Sequence, residues 1–322
     1  MKQTLLTLFA FAICTQTPGV HAAEGYPSKP VHLVVPFSAG GIGDTIARIV
    51  SAPLSEQLGE PVIVENRPGG DGLVGTQWVS RSEPDGYTVL QVSTPLTINM
   101  VMRTKPRYDL TRDFEPVGCA VRSTLVLVVP ASAPSHSVAD LVAFAKTKPQ
   151  GLSFGSGAVG SVGHLSGELF SQAAGIHTLH IPYKGESAVV PDLVSGRLDF
   201  SFASQPEALQ GVAAGQMRAL AVSSLQRVPT FPDLPTMTEA GFKGFDPSSN
   251  YGYMVPANTP LPVAKKLNEA ISRVISQPAV QERFRLLGLT PNACAPDGWS
   301  SIVKAEIARW GPVVKAANVH AD

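Results

Sequence analysis

An α/β protein of two lobes is what this sequence predicts, and three observations carry the expectation. From residue 31 onward, short β-branched apolar runs alternate with longer segments of helical period, the pattern of a parallel sheet with crossover helices. The 322 residues exceed what one hydrophobic core usually holds. Three strand-to-helix junctions are rich in glycine and hydroxyl residues, the composition of ligand loops. With 44% hydrophobic and 16% charged residues the chain lacks the signature of disorder. Lys plus Arg and Asp plus Glu balance at 25 each, which removes the positive field that nucleic-acid binding needs.

The first segment reads as a cleaved secretory signal over residues 1–22: Lys2 supplies the positive start, residues 5–13 the apolar stretch, and Val20-His21-Ala22 the cleavage pattern. A membrane anchor would need about 18 or more apolar residues, and Thr15, Gln16, Thr17, Pro18 and Gly19 break the run. Ile13 is too bulky before Cys14 for a lipoprotein. Removing the signal leaves Cys119 and Cys294. In an oxidising compartment a disulfide and two buried free thiols both remain open. Gly118, Ala120, Ala293 and Ala295 beside them offer no base for a catalytic thiol.

Val31-His32-Leu33-Val34-Val35 forms the first expected strand, after which Ile42, Ile46, Ile49, Val50 and Leu54 recur on one helix face. Pro53 lacks the amide that would bond back to Ile49 and predicts a kink or an early stop. Further strands are expected at 62–64, 87–92 and 125–129, and at 152–154, 179–181, 198–202 and 220–222 for a second sheet. Pro229, Pro232 and Pro235 punctuate the chain before a strand at 251–255 and a helical tail. In the last helix Ile302, Ile307, Trp310, Val313 and Val314 form an apolar stripe for the core.

The first glycine-rich loop, Phe37-Ser38-Ala39-Gly40-Gly41, leads into the first helix, whose free amides favour an anion; Asp44 reads as a capping carboxylate. The second runs from Gly155 to His164 and spells two famous patterns. Gly155-Ser156-Gly157-Ala158-Val159-Gly160 matches a dinucleotide fingerprint, yet residues 176–184 lack the acid expected about 20 positions on. Gly151-Leu152-Ser153-Phe154-Gly155 matches a nucleophile elbow, but Ser153 falls inside a strand, and its partners would have to be Asp192 or Asp199 with His320. A secreted serine hydrolase using Ser153 is thus the competing reading, and it predicts ester turnover. His164 suits either a hydrogen bond to a carboxylate or a local cap. His177 and His180 face opposite sides of a strand, so no metal site is expected. In the third loop, Tyr183-Lys184-Gly185, Lys184 is the one cation of the three loops. Many donors and few charges suit a small acid held without being transformed, with no cofactor.

Several motifs together resemble one family. Tyr26-Pro27-Ser28-Lys29-Pro30, Val34-Val35-Pro36-Phe37, Gly40-Gly41 with Asp44, Val64-Glu65-Asn66-Arg67-Pro68-Gly69, Pro84-Asp85-Gly86-Tyr87, His164-Leu165, Pro182-Tyr183-Lys184-Gly185 and Ala308-Arg309-Trp310 are similar to the Bug-type receptors of tripartite tricarboxylate transporters. The resemblance implies a type II periplasmic-binding-protein fold. Its first lobe would comprise residues 23–123 and 225–322, and its second residues 124–224, with hinges near 121–125 and 223–226. It places Phe37, Ser38, Ala39, Gly40, Gly41, Ser93 and Thr94 on one wall of the cleft. Ser156, Gly157, Ala158, Gly160, Ser161, His164, Tyr183, Lys184 and Gly185 form the other, with Ala203 and Ser204 beside them.

The chain departs from the family pattern at Ser38-Ala39, Gly43, Gly163, Asn250 and Ala203. Ala203 stands where many members carry aspartate, which argues against the ammonium group of an amino acid. The expected function is a monomeric periplasmic receptor that delivers a non-aminated carboxylic acid to a membrane permease. A sensor with the same pocket is indistinguishable by sequence.

Overall fold

The computed structural model describes residues 25–320, so the expected signal segment lies outside the described residues. Two mixed sheets carry the fold. In chain order the first begins with β1 (Val31–Val35), α1 (Ile42–Leu58), β2 (Val62–Asn66), α2 (Leu73–Ser80), β3 (Thr88–Ser93), α3 (Thr94–Val101) and β4 (Phe114–Ser123). The chain then builds a second sheet from β5 (Leu125–Pro130), α4 (Val138–Thr147), β6 (Leu152–Ser156), α5 (Val162–Ala174), β7 (Thr178–Pro182), a 3-10 turn at Glu186–Ala188, α6 (Val190–Val194), β8 (Phe200–Ser204), α7 (Gln205–Ala213) and β9 (Met217–Val222). It returns to the first sheet with β10 (Ser249–Pro256), α8 (Leu261–Ile275), α9 (Pro278–Leu286), β11 (Leu289–Pro291) and α10 (Pro296–Ala316). The strand orders are β11-β4-β10-β3-β1-β2 and β7-β6-β8-β5-β9.

The β-branched runs pair as their composition predicts. β1 lies parallel between β2 and β3, with Val31 opposite Val62 and His32 opposite Thr88. In the second sheet β6 lies parallel between β7 and β8. Each sheet also takes antiparallel strands: β10 against β3 and β4, and β5 against β8 and β9. Such additions are common on sheets otherwise built from parallel crossovers.

Three local expectations change. α1 does not stop at Pro53 but runs on to Leu58, closed by Gly59 in the left-handed region with φ +77°. β4, ten residues long, was not among the expected strands because Pro116 and Gly118 interrupt its apolar run. Gly118 is there for space: a Cβ would lie 2.5 Å from Asn268 Nδ2 and 2.6 Å from the Cys294 carbonyl oxygen. Across the ladder, a Cβ on Gly252 would meet the fully buried Trp299 ring at 2.6 Å. In α10 the buried stripe is Trp299, Val303, Glu306, Trp310, Val313 and Val314, spaced by three and four; Ile302 and Ile307 flank it half-buried.

The sheets are joined twice. Thr124 alone separates β4 from β5, close to the expected hinge. The second passage lies later than the 223–226 expected: Met237 and Phe245 are buried in the core of the second sheet, and Val222 bridges Thr236. The chain therefore reaches the first sheet only at Ser249. A polar junction sits at this return. Asp246 pairs with Arg122 of β4, and Arg309 of α10 bonds its carbonyl. Just beyond, the buried Glu306 of α10 accepts hydrogen bonds from Thr94 Oγ1 and, at 2.8 Å, from Asn250 Nδ2. Burial pushes the Glu306 carboxyl above the usual carboxylate range, and its second oxygen has no partner. Farther along, α10 packs Trp310, Val313 and Val314 on Leu165 of α5, so this helix touches both lobes.

Of the two states left open for Cys119 and Cys294, the structure shows the disulfide, with Cα atoms 5.1 Å apart and a sequence separation of 175. It ties β4 to the segment before α10. Native bridges contribute about 2–5 kcal/mol, so reduction should lower the urea-unfolding free energy by that order; an unchanged midpoint would show that the thiols are not paired. Glu306→Leu strands two buried polar groups and should cost about 1–3 kcal/mol. Glu306→Gln, a neutral isostere, should cost clearly less. Equal losses would show that no hydrogen-bonding role distinguishes this side chain.

Candidate ligand-binding cleft

The wall of the second sheet is made where β6 hands over to α5. Gly160 takes φ +75°, and Ser161 caps α5 by accepting the His164 amide on its hydroxyl at 3.2 Å. The amides of Val162 and Gly163 are left without intrahelical partners, the usual state of a first turn. Both residues line a cavity of about 310 Å³, together with Ala158, Val159, Gly160, Ser161, Glu186 and Ser204. From the loops and helix starts around the first sheet come Phe37, Ile42 and Asp71, from α3 Pro95, Ile98 and Asn99, and from its C-cap Met102. Ser123 and Leu125 flank the Thr124 crossing, and Ser249 and Tyr251 belong to β10. A wider depression of about 800 Å³ around Trp78 and Tyr87 lies on the first lobe alone. A third hollow of about 340 Å³, between Pro229 and Pro291, has no glycine-rich loop in its lining.

The expected site residues separate into those that face the cavity and those that build it. Phe37, Ala158, Gly160, Ser161 and Ser204 line it. Ser38, Ala39, Gly40 and Gly41 are open to solvent beside it, and the Gly40 amide donates to Asp44 at 2.9 Å. Asp44 also accepts from Arg48, which holds its carboxyl below the usual range, so this acid caps the loop as expected. Ser93 is buried as the N-cap of α3, and the Thr94 hydroxyl is spent on Glu306. Ala203 is buried in the core of the second sheet.

Lys184 is exposed and does not line the cavity. The Tyr183 hydroxyl donates to Asp192 at 2.7 Å, and burial together with that bond pushes its pKa up to about 12. The Gly185 amide donates to the Gly157 carbonyl at 2.8 Å. The third loop therefore braces the second loop; its contribution to the cavity is Glu186.

His164 does not present a donor to the cleft. Its Nδ1 accepts the Gly160 amide at 2.9 Å, which puts the ring proton on Nε2, 3.7 Å from Glu168. Burial holds its pKa down at about 4. Its ring stacks on His180 with centroids 3.7 Å apart, a pairing that sequence spacing does not reveal; burial and His164 hold the His180 pKa at about 3. His180 Nε2 in turn meets Ser156 Oγ at 2.7 Å. The serine proton goes to the Ala158 carbonyl at 3.0 Å, so the imidazole donates and cannot serve as a base. Ser153, the competing nucleophile, bonds Asp199 and the Arg197 carbonyl from within β6, while His320 bonds Asn318. Neither serine has the base that acyl transfer requires.

The electrostatics of the cavity differ from the expectation. The charged residues lining it are Asp71 and Glu186, both acidic, with no lysine or arginine among the described residues. Burial pushes the Glu186 carboxyl up to about 7, with Glu207 adding to the rise and the Gly157 amide opposing it. Asp71 sits at φ +54° beside glycines 69, 70 and 72, and the Asn99 amide clamps the carbonyls of Gly70 and Asp71. The turn chemistry of that loop was a legible signal.

Two α/β sheets joined by two crossings, with a cavity fed by residues of both and closed at a helix N-terminus, define a solute-binding protein of the type II periplasmic class. The chain belongs to the tripartite tricarboxylate transporter family of receptors, whose profile matches residues 46–319. It is 35% identical over 320 residues to the protein BugT of Bordetella pertussis, covering 98% of each chain. Among solved structures it is similar to an R. palustris protein with adipate, at 34% identity and TM-score 0.78 over 92% of this chain and 99% of that one. It is also similar to MatC from Rhodopseudomonas palustris with bound malate, at 29% identity and TM-score 0.74 over 90% and 100%.

The stacked histidines make a measurable prediction. Both are held neutral in the folded state and bind protons more readily when unfolded, so their contribution to stability is present above pH about 6.5 and is lost as pH falls toward 4. Imidazole resonances assigned to His164 and His180 should show midpoints below 5; ordinary midpoints between 6 and 7 would contradict the buried stack.

Proposed function

We propose that this receptor works in the periplasm, delivered there by the signal over residues 1–22, and captures a small organic acid for the membrane permease subunits of its transporter. It binds without transforming its ligand, acts as a monomer and needs no cofactor. The observation that carries this reading is the cavity at the N-terminus of α5, lined there by Val162 and Gly163 and on the other side by residues of the first lobe. Its volume of about 310 Å³ suits a small molecule. Relatives solved with adipate and malate support an acid as the ligand.

The lobes divide at Thr124 and at Ser248, with residues 225–247 going with the second lobe. Closure about these two passages traps the ligand and presents the closed form to the permease. The expectation of a non-aminated acid rested on Ala203, which lies in the core, whereas Asp71 and Glu186 bring carboxylates to the cavity itself.

Native mass spectrometry of protein isolated from the periplasm should show a small acid released on denaturation, and that acid should raise the melting temperature roughly with the logarithm of its concentration above the dissociation constant. At 100 times the dissociation constant the gain is about 2.7 kcal/mol. Stabilisation by none of a panel of mono-, di- and tricarboxylates would sink the reading, as would ester hydrolysis abolished by Ser153→Ala.

A further inference from the structure

Glu186 occupies an unusual place for an acidic residue in a cavity meant for acids. It begins the 3-10 turn after the third loop, and its Oε1 accepts the Gly157 amide at 3.1 Å. Gly157 makes room for this residue. A Cβ there would lie 2.7 Å from the Glu186 backbone nitrogen and 2.9 Å from its Oε1, tighter than real Cβ contacts allow, and Gly163 lies alongside, where a Cβ would make only an ordinary 3.5 Å contact with the same oxygen. Gly163 is in the first turn of α5, so the carboxyl stands beside that helix N-terminus. Burial and Glu207 outweigh the attraction there, so the group is mostly ionised only above neutral pH, where the test below is made. The rest of the lining is mainly apolar: Phe37, Ile42, Ile98, Met102, Leu125 and Val159.

We infer that Glu186 is a built-in anion that takes the place of one ligand carboxylate, so that this receptor selects acids with a single carboxylate on an apolar body and rejects diacids. The inference rests on the reading of the cavity as an acid site and specifies it. A second ligand carboxylate would share a small cavity with Glu186 and Asp71 and meet no cation there. Like charges brought together in this way are strongly unfavourable. The apolar lining, by contrast, is complementary to a hydrocarbon body. Gly157 answers to the same turn, since a side chain there would run into the Glu186 backbone and crowd its carboxyl.

Titration calorimetry at pH 8 with matched pairs tests this: hexanoate against adipate, and benzoate against terephthalate. The monoacid of at least one pair should bind about tenfold or more tightly than its diacid. Glu186→Gln should shrink that ratio by improving diacid binding, with Glu186→Gly as the second variant and a melting curve to establish that each is folded. Diacids bound as tightly as monoacids by the native protein, or a ratio unchanged in both folded variants, would overturn the inference while leaving the acid receptor standing. Binding of none of the four acids would overturn both. Tighter binding of 6-aminohexanoate than of hexanoate, lost in Glu186→Gln, would support Glu186 as the fixed anion and show that the ligand is aminated.

Discussion

The buried carboxyl of Glu306 is the point on which the rest of the arrangement depends. It belongs to α10, yet it holds Thr94 at the start of α3 and Asn250 near the start of β10. Asn250 also donates its amide to Thr94, closing the triangle. A few residues away Asp246 gathers Arg122 and Arg309. These contacts fix the end of β4, the return into β10 and the first turn of α3 against one another, and all three contribute to the cleft. A buried polar cluster of this kind adds little net stability but is costly to leave incomplete, and so it specifies one geometry. The disulfide between Cys119 and Cys294 reinforces the same corner by tying β4 to the entry of α10.

From that corner the logic of the cleft follows. α3 projects Ile98, Asn99 and Met102 toward α5, whose N-terminal turn supplies amides and whose glycines leave space. The conspicuous polar side chains nearby are mostly occupied: His164 accepts a backbone amide, Tyr183 serves Asp192, and Ser156 serves Ala158. They position the loops. The polar groups left to line the cavity are backbone groups, a few hydroxyls and the carboxylates of Asp71 and Glu186. A site of that composition reads ligands by charge and shape more than by a dense set of side-chain contacts.

The serine and histidine pairs show how context decides chemistry. Ser156 and His180 are within hydrogen-bonding distance, the first requirement of a nucleophile and its base. The serine proton is nevertheless committed elsewhere, the serine is fully buried, and the ring is kept neutral by burial against His164. The same atoms that would suggest catalysis in a list of distances form a structural brace in this environment.

The sequence by itself determined the α/β class, nearly every parallel strand, the capping role of Asp44 and the three glycine-rich loops. Each of these is encoded locally, in period, turn residues and helix starts. It also carried the family resemblance that the comparisons bear out. What only the tertiary structure decided depends on residues far apart in the chain. β4 was hidden because Pro116 breaks its apolar run and Gly118 answers to Asn268 and the Cys294 segment instead of to strand period. The late return at Ser249 follows from Met237 and Phe245 joining the core of the second sheet. The Thr94 hydroxyl is engaged by Glu306, 212 residues away, and Ala203 is packed in the apolar core of the second sheet. Glu186 reaches the cavity beside Gly157, on another loop, whose missing Cβ leaves room for the Glu186 backbone and carboxyl. Local pattern specifies elements, while long-range packing decides which side chain of a loop faces the ligand.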